Sequence, residues 1–266
     1  MRELTLRVPA EEAERVLDTV LPALPGGLHL REDGDTVELK ILDTPGTPAE
    51  EELRALAGPW LLGSGAAEVS DDWRERRLAR YEPLVIADRF LVRPDWAPPA
   101  DRPGLIEIVL EQSSAFGTGV HPTTQACLAT LAEVEPGGSF ADYGSGSGVL
   151  SIAADRLGWA PVVAVDVSEP TVAAARRNAG RNRAAIDIRR LDLTAETPPA
   201  ANTIVANVPP QIHAALTQRL QQRPALAIVS GFHPEEMDSV AATWEARGLS
   251  VEEEARANEW VALLLR

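Results

Sequence analysis

From Glu3 to Val8 apolar and polar residues alternate as in a half-buried strand, and from Ala10 to Leu21 the spacing becomes helical. The same reading predicts strands over Gly27–Arg31, Thr36–Leu42 and Leu61–Val69, with a helix over Ala49–Ala57. The EDGD stretch between the middle strands is a hairpin turn, while Pro48 is placed to open the second helix and Gly58 to close it. The order is β-α-β-β-α-β, a small α+β unit over residues 1–70. Residues 71–100 begin charged, end rich in proline, and read as a connector followed by a strand. From Leu105 onward apolar runs alternate with helical stretches: IEIVL, SFADY, PVVAVDV, AIDIRRLD, TIVANV, ALAIVSG and a closing pair near LSVEEEA and WVALLLR. Such alternation predicts a mostly parallel sheet covered on both faces over residues 101–266, with ligands beyond the carboxyl ends of its strands. The predicted fold class is therefore α/β and Rossmann-like, with an N-terminal ferredoxin-like domain.

The stretch SFADYGSGSGVL, residues 139–150, is a strand ending at Asp142, a turn through Gly144, Gly146 and Gly148, and a helix beginning near Val149. A bare backbone and free helix N–H groups make a nucleotide-type cradle. Val149 stands where a dinucleotide fingerprint needs glycine, no Gly-Lys-Ser/Thr triplet exists for a P-loop, and neither Ser145 nor Ser147 has the flanking glycines of a nucleophile elbow. What remains, Asp-x-Gly-x-Gly-x-Gly, resembles the first motif of the class I S-adenosylmethionine-dependent methyltransferases.

Asp166 ends the next strand, 22 residues after Gly144, where a carboxylate can accept hydrogen bonds from both hydroxyls of a ribose. Asp192 ends the strand after that, either within reach of an adenine amino group or as a helix cap. Asn207 follows the strand TIVA on the same edge, suited to face a reacting centre. Upstream, AFGTGVHPTTQACLATL is a glycine-turned loop running into a helix whose first turn holds Pro122, Thr123 and Thr124, good helix-start residues. It is a capped helix alone, or a lid over the cradle as well.

Taken together, FGTGVHPTT, DYGSGSGVL, VVAVDV, ANVPPQIHAAL and NEWVALLLR are similar, in that order and spacing, to the bacterial ribosomal protein L11 methyltransferases. The resemblance spans essentially the whole chain, and FGTGVHPTT is its most specific part. It implies S-adenosylmethionine as cofactor, with contacts at Thr124, Gly144, Asp166 and Asn207, and Phe116, Asp142, Gly146 and Asp192 are expected to complete that site. It also implies methyl transfer to amino groups of a ribosomal protein, with Asn207 as the catalytic residue and the front domain recognising the substrate. The alternatives are a class I methyltransferase of another protein or a small molecule, and a non-catalytic protein that binds S-adenosylmethionine. The chain departs from the family pattern at Arg77, at Glu111, Gln112 and Ser113, and at Val208, Pro209 and Pro210 beside the expected acceptor site.

Composition narrows these readings. A net charge of −15 opposes nucleic-acid binding as the main activity, because that affinity rests on clustered Lys and Arg. No apolar run approaches the roughly 18–20 residues a bilayer span needs, and the N-terminus lacks a secretory pattern, so a cytoplasmic protein without membrane contact is expected. The single cysteine, Cys127, excludes an internal disulfide and reads as a core thiol. Four histidines without ligand spacing make a catalytic metal unexpected, and His121 and His213 read as capping or packing residues.

Overall fold

The computed structural model describes residues 2–24, 28–43, 46–68, 83–100, 102–111 and 121–266. They fall into two compact units, one drawn from residues up to Glu82 and the other from Pro83 onward.

The first unit comprises β1 (Arg2–Pro9), α1 (Ala13–Val20), β2 (His29–Asp33), β3 (Thr36–Leu42), α2 (Glu50–Ala57) and β4 (Gly63–Glu68). The sheet order is β2-β3-β1-β4, with every neighbouring pair antiparallel. Alternation along β1 turns Leu4, Leu6 and Val8 inward, onto Val16 and Val20 of α1 and Leu53 and Ala57 of α2. The α-helical part of the predicted first helix is shorter than Ala10–Leu21, because tight three-residue turns at Ala10–Glu12 and Leu21–Ala23 flank it. Pro22 in the second turn has no N–H with which to continue the ladder. In the EDGD hairpin Asp33 pairs with Thr36, and Gly34 takes a left-handed φ of 62° at the first central position. That turn sets β2 two residues later than the pattern predicts. Gly58 caps α2 with a positive φ of 61°, and Glu50, Glu51 and Glu52 form its first turn, where acidic groups suit the helix dipole.

In the second unit a seven-stranded sheet holds β8 (Phe140–Tyr143), β9 (Val162–Asp166), β10 (Ile186–Arg190), β11 (Thr203–Asn207), β12 (Leu226–Phe232), β13 (Val251–Ala257) and β14 (Trp260–Leu265). Their order is β10-β9-β8-β11-β12-β14-β13, parallel throughout except for β14, which runs antiparallel to both neighbours. The chain builds outward from β8 to β10 and then returns to β11, so the strand order reverses between β8 and β11. Ligand crevices in open α/β sheets form at that reversal, beyond the carboxyl ends. Helices α3 (Pro122–Glu133) and α4 (Val149–Leu157) pack on one face with Phe140, while α6 (Pro210–Arg219) and α7 (Met237–Glu245) cover the other with Ala141 and Tyr143. Between them in the chain, α5 (Glu169–Asn182) packs Val172, Ala175 and Ala179 against β9 and β10.

One expectation is corrected here. IEIVL is not the first strand of the large sheet; as β7 (Ile106–Leu110) it joins β5 (Leu84–Ile86) and β6 (Phe90–Pro94) in a separate sheet of order β5-β6-β7. An apolar run says that a strand is buried, not which strand it pairs with. The edge of β7 not paired with β6 is closed by side chains of α5. Asn182 accepts from the Val109 N–H at 2.9 Å and donates to its carbonyl at 2.7 Å, and Asn178 accepts from the Glu111 N–H at 2.7 Å. Both asparagines are buried, so the pairing replaces a strand neighbour. Asn182→Ala would leave both main-chain groups of Val109 unpaired, and should lower stability by roughly 2–4 kcal/mol in urea unfolding. A change under about 0.5 kcal/mol would show that the edge is satisfied in another way.

Candidate functional site

Beyond Tyr143 the chain turns through Gly144, Gly146 and Gly148, whose φ values of 76°, 53° and 81° all lie in the left-handed region. The N–H groups of Gly144 and Ser145 both donate to the Val165 carbonyl, which ties the turn to the neighbouring strand. At Gly144 side-chain bulk is also forbidden, since a Cβ there would stand 2.4 Å from Cγ1 of Val208. Val208 meets a second glycine from the other side: a Cβ on Gly231, at φ 95°, would lie 2.4 Å from the Val208 carbonyl oxygen. Gly231 is the irregular residue in the pairing of β12 with β14, where the register shifts between Ser230 and Phe232. Three strand ends therefore meet at van der Waals contact around the segment that follows Asn207.

Asp142 points into the start of α4. Its Oδ2 accepts from the Ser151 N–H at 3.1 Å and from the Ser151 hydroxyl. Burial pushes the carboxyl up to about 7; the Ser151 hydrogen bonds oppose that and the negative charge of Asp166 adds to it. Among the described residues Oδ1 has no partner, and the same is true of Thr124 Oγ1 and Ser145 Oγ, all three buried. Asp166 spans the cradle, with Oδ2 accepting from the Gly146 N–H and Oδ1 from the Ser168 N–H, each at 3.0 Å. Each carboxylate oxygen keeps one further lone pair. Asp192 caps a turn, its Oδ1 accepting from the Thr194 N–H at 2.8 Å and hydroxyl at 2.6 Å, and these bonds hold its carboxyl below the usual range. It also lines a cavity of about 390 Å³ with Val167, Arg190 and Glu196. A second cavity, of about 250 Å³, lies at the opposite, amino ends of β8 and β11 beside Ser139 and Asn202.

Asn207 closes β11, half-buried, and donates from Nδ2 to Thr123 Oγ1 at 3.1 Å. The structure thus gathers Asp142, Gly144, Gly146, Asp166 and Asn207 on one edge of the sheet, with Thr124 in the first turn of α3. Asp192 stands at the outermost strand, and Phe116 lies outside the described residues, as do Arg77, Gln112 and Ser113. Glu111 is paired with Arg177 and Arg181. The prolines that depart from the family pattern suit a helix start: Pro209 is the N-cap of α6 and Pro210 its first residue.

Sequence reasoning passed over several residues here. Val167 leaves 54% of its surface exposed beside Asp166, and its place directly after the strand-end carboxylate was the available signal. The sequence around Thr123 signals only a helix start. Gly231 carried no local signal, because its constraint comes from a distant main chain. Cys127 is a core thiol, pushed up to about 12 by burial with the Asp142 charge adding. His213 is buried, with Nε2 3.0 Å from the Ser230 carbonyl and Nδ1 accepting from Trp244 Nε1 at 3.3 Å, and burial lowers its pKa to about 4.

A central strand running into a glycine cradle, an acidic residue ending the next strand and an asparagine ending the strand across the reversal define a class I methyltransferase. A solved structure, ribosomal protein L11 methylase from Lactobacillus delbrueckii subsp. bulgaricus, aligns with a TM-score of 0.62 and 26% identity over 70% of this chain and 97% of that one. The family model described as ribosomal protein L11 methyltransferase (PrmA) matches residues 64–266. A protein of that name from Pelotomaculum thermopropionicum is 31% identical across 99% of this chain and 98% of its own length. Another, from Symbiobacterium thermophilum, is 41% identical over 55% of this chain and 51% of its own length. The chain belongs to the ribosomal protein L11 methyltransferase family.

The two buried titrating groups act in opposite senses over overlapping pH ranges. The lowered pKa of His213 means that its contribution is present above about 6.5 and lost as pH falls toward about 4. The raised pKa of Asp142 means that its contribution is present below about 4 and lost as pH rises through about 7. Relative to wild type, His213→Gln should therefore gain stability, and Asp142→Asn lose it, as pH is lowered from about 7 to about 4. Urea unfolding across that range measures both slopes, and curves parallel to wild type would refute the assignments.

Proposed function

We propose that this protein transfers methyl groups from S-adenosylmethionine to amino groups of ribosomal protein L11, lysine side chains foremost, in the cytoplasm. The observation that carries the reading is a group of three buried polar atoms without partners among the described residues, Thr124 Oγ1, Asp142 Oδ1 and Ser145 Oγ, two of them beside a glycine turn that a Cβ would fill. Buried polar atoms of native proteins are rarely left unpaired. A ligand with both donors and acceptors, such as the amino-acid end of S-adenosylmethionine, satisfies them. The remaining lone pairs of Asp166 suit the ribose hydroxyls, and exposed Val167 with Asp192 borders a cavity suited to the adenine. When bound, the cofactor supplies a methyl group on a positive sulfur that is itself a good leaving group.

The chain's own contribution is then orientation. Asn207 offers an amide oxygen to an N–H of the acceptor amine and directs its lone pair toward the methyl carbon, and such alignment alone can remove much of a barrier. A lysine amine with a pKa of about 10.4 costs roughly 4–5 kcal/mol to deprotonate at pH 7, and a positive charge close by lowers that cost. His213 is not placed to take the proton, since both its ring nitrogens are engaged in the core. The first unit has no glycine cradle among its described residues, and we assign it to recognition of the substrate protein.

Mass spectrometry of ribosomal proteins after incubation with this protein and isotope-labelled cofactor tests the assignment. The label is expected on L11; label confined to RNA or small molecules would overturn it. For the pocket, Asp166→Ala should weaken S-adenosylhomocysteine binding by roughly 1.5–3 kcal/mol, the scale of charge-assisted hydrogen bonds. Unchanged affinity in calorimetric titration of the folded variant would remove Asp166 from the site.

A further inference from the structure

We infer that Thr123, backed by His121, fixes which end of the Asn207 side-chain amide faces the acceptor amine, making Thr123 a positioning residue for methyl transfer. The inference rests on the reading of Asn207 as the group that receives that amine.

Protons along a short chain of contacts fix the orientation. His121 is the N-cap of α3, and its Nδ1 accepts from the main-chain N–H of Thr123 at 3.3 Å. A nitrogen that accepts carries no proton, so the ring is neutral with its proton on Nε2. Burial, which lowers the His121 pKa, favours the same form. The ring is held in place against Trp260, edge to face with centroids 5.0 Å apart, and Trp260 in turn stacks on His233 at 4.1 Å.

Thr123 Oγ1 lies 2.7 Å from the same Nδ1. Because Nδ1 has no proton, the single hydroxyl proton of Thr123 must lie in that contact. The Oγ1 lone pairs are then all that Thr123 can offer to Asn207, and only a donor can use them. The amide nitrogen of Asn207 is that donor, at 3.1 Å. Its oxygen is consequently turned away from Thr123, and an acceptor is presented to the incoming amine.

Without the hydroxyl no hydrogen bond among the described residues distinguishes the two ends of the amide. A flipped amide would present N–H donors to a neutral amine whose lone pair must point at the methyl group, and that donor would compete for the same lone pair. Thr123 thus differs from its neighbour Thr124, whose buried hydroxyl has no partner among the described residues. The first would work through Asn207, and the second through direct contact with the cofactor.

Methyl transfer to L11 is to be measured for Thr123→Val, Thr123→Ser, Asn207→Ala and the Thr123→Val/Asn207→Ala double variant, alongside S-adenosylhomocysteine affinity and a cooperative melt for each. Thr123→Val should lower kcat by about tenfold or more, as loss of alignment does, with cofactor affinity unchanged. Thr123→Ser, which keeps the hydroxyl, should recover most of the rate. The double variant should be no slower than Asn207→Ala, because groups that act as one unit do not lose rate additively. Should Thr123→Val not melt cooperatively, Thr123→Ala takes its place in every comparison.

A slow Asn207→Ala beside a Thr123→Val with wild-type kcat would overturn the positioning role and leave the reading of Asn207 standing. A wild-type kcat for Asn207→Ala would overturn that reading, and the positioning role with it. Additive losses in the double variant, or a Thr123→Ser as slow as Thr123→Val, would show that Thr123 acts by another route.

Discussion

Everything at the carboxyl edge of the large sheet depends on how closely Val208 can be approached. Gly144 contacts its side chain and Gly231 its main chain, at separations that admit no Cβ on either. The Val208 N–H donates to the Ser230 carbonyl at 3.1 Å, and Nε2 of His213 lies 3.0 Å from that same oxygen. Asn207 is therefore held by a main chain clamped on both sides, and the neutral His213 behind it keeps the clamp uncharged. In a close-packed interior such contacts transmit displacement instead of absorbing it. A small shift at Gly231 would thus be felt at the amide of Asn207.

The parts legible in the sequence are those whose constraint is local. Three glycines at alternate positions, a carboxylate at the end of the following strand and a proline at a helix start each declare themselves within a few residues, and Gly144, Asp166 and Pro122 stand where their patterns place them. What pairs at a distance could not be read. IEIVL is a strand, as expected, yet its sheet is decided by Phe90–Pro94 and by two asparagines of α5. Gly231 needs the backbone of Val208, and nothing in SGFHP says so. Thr123 and Thr124 are adjacent and equally good helix starters, and only their partners in three dimensions separate them. The sequence allows Asp192 either ligand contact or a cap; one of its oxygens is engaged in capping, and the residue still faces a cavity.

The charge distribution follows a similar economy. Against a net charge of −15, many of the arginines in the second unit are committed within it: Arg177 and Arg181 to Glu111, Arg190 to the Val167 carbonyl, Arg189 to Asp187. Such pairing offsets guanidinium charge locally, and the net negative charge of the whole chain sets the sign of its long-range field. Within the site the same rule of commitment holds. The carboxylate of Asp166 first organises the main chain of the cradle, and only its second set of lone pairs is left to offer.

The two asparagines on α5 also set an order of events. The N–H of Val109 is made early in the chain, but the side chain that satisfies it comes 73 residues later, and that of Glu111 must wait 67. As the polypeptide emerges from the ribosome, β7 can align with β6 at once, while its other border has only water until α5 has been synthesised and wound. A single helix turn bearing Asn178 and Asn182 then seals the small sheet, and the Asn178 amide, donating to the Ser147 carbonyl at 3.0 Å, reaches the glycine cradle in the same movement. The small sheet and the glycine cradle are thus tied together by one element, and a nascent chain that stops short of this helix lacks the two side chains that join them.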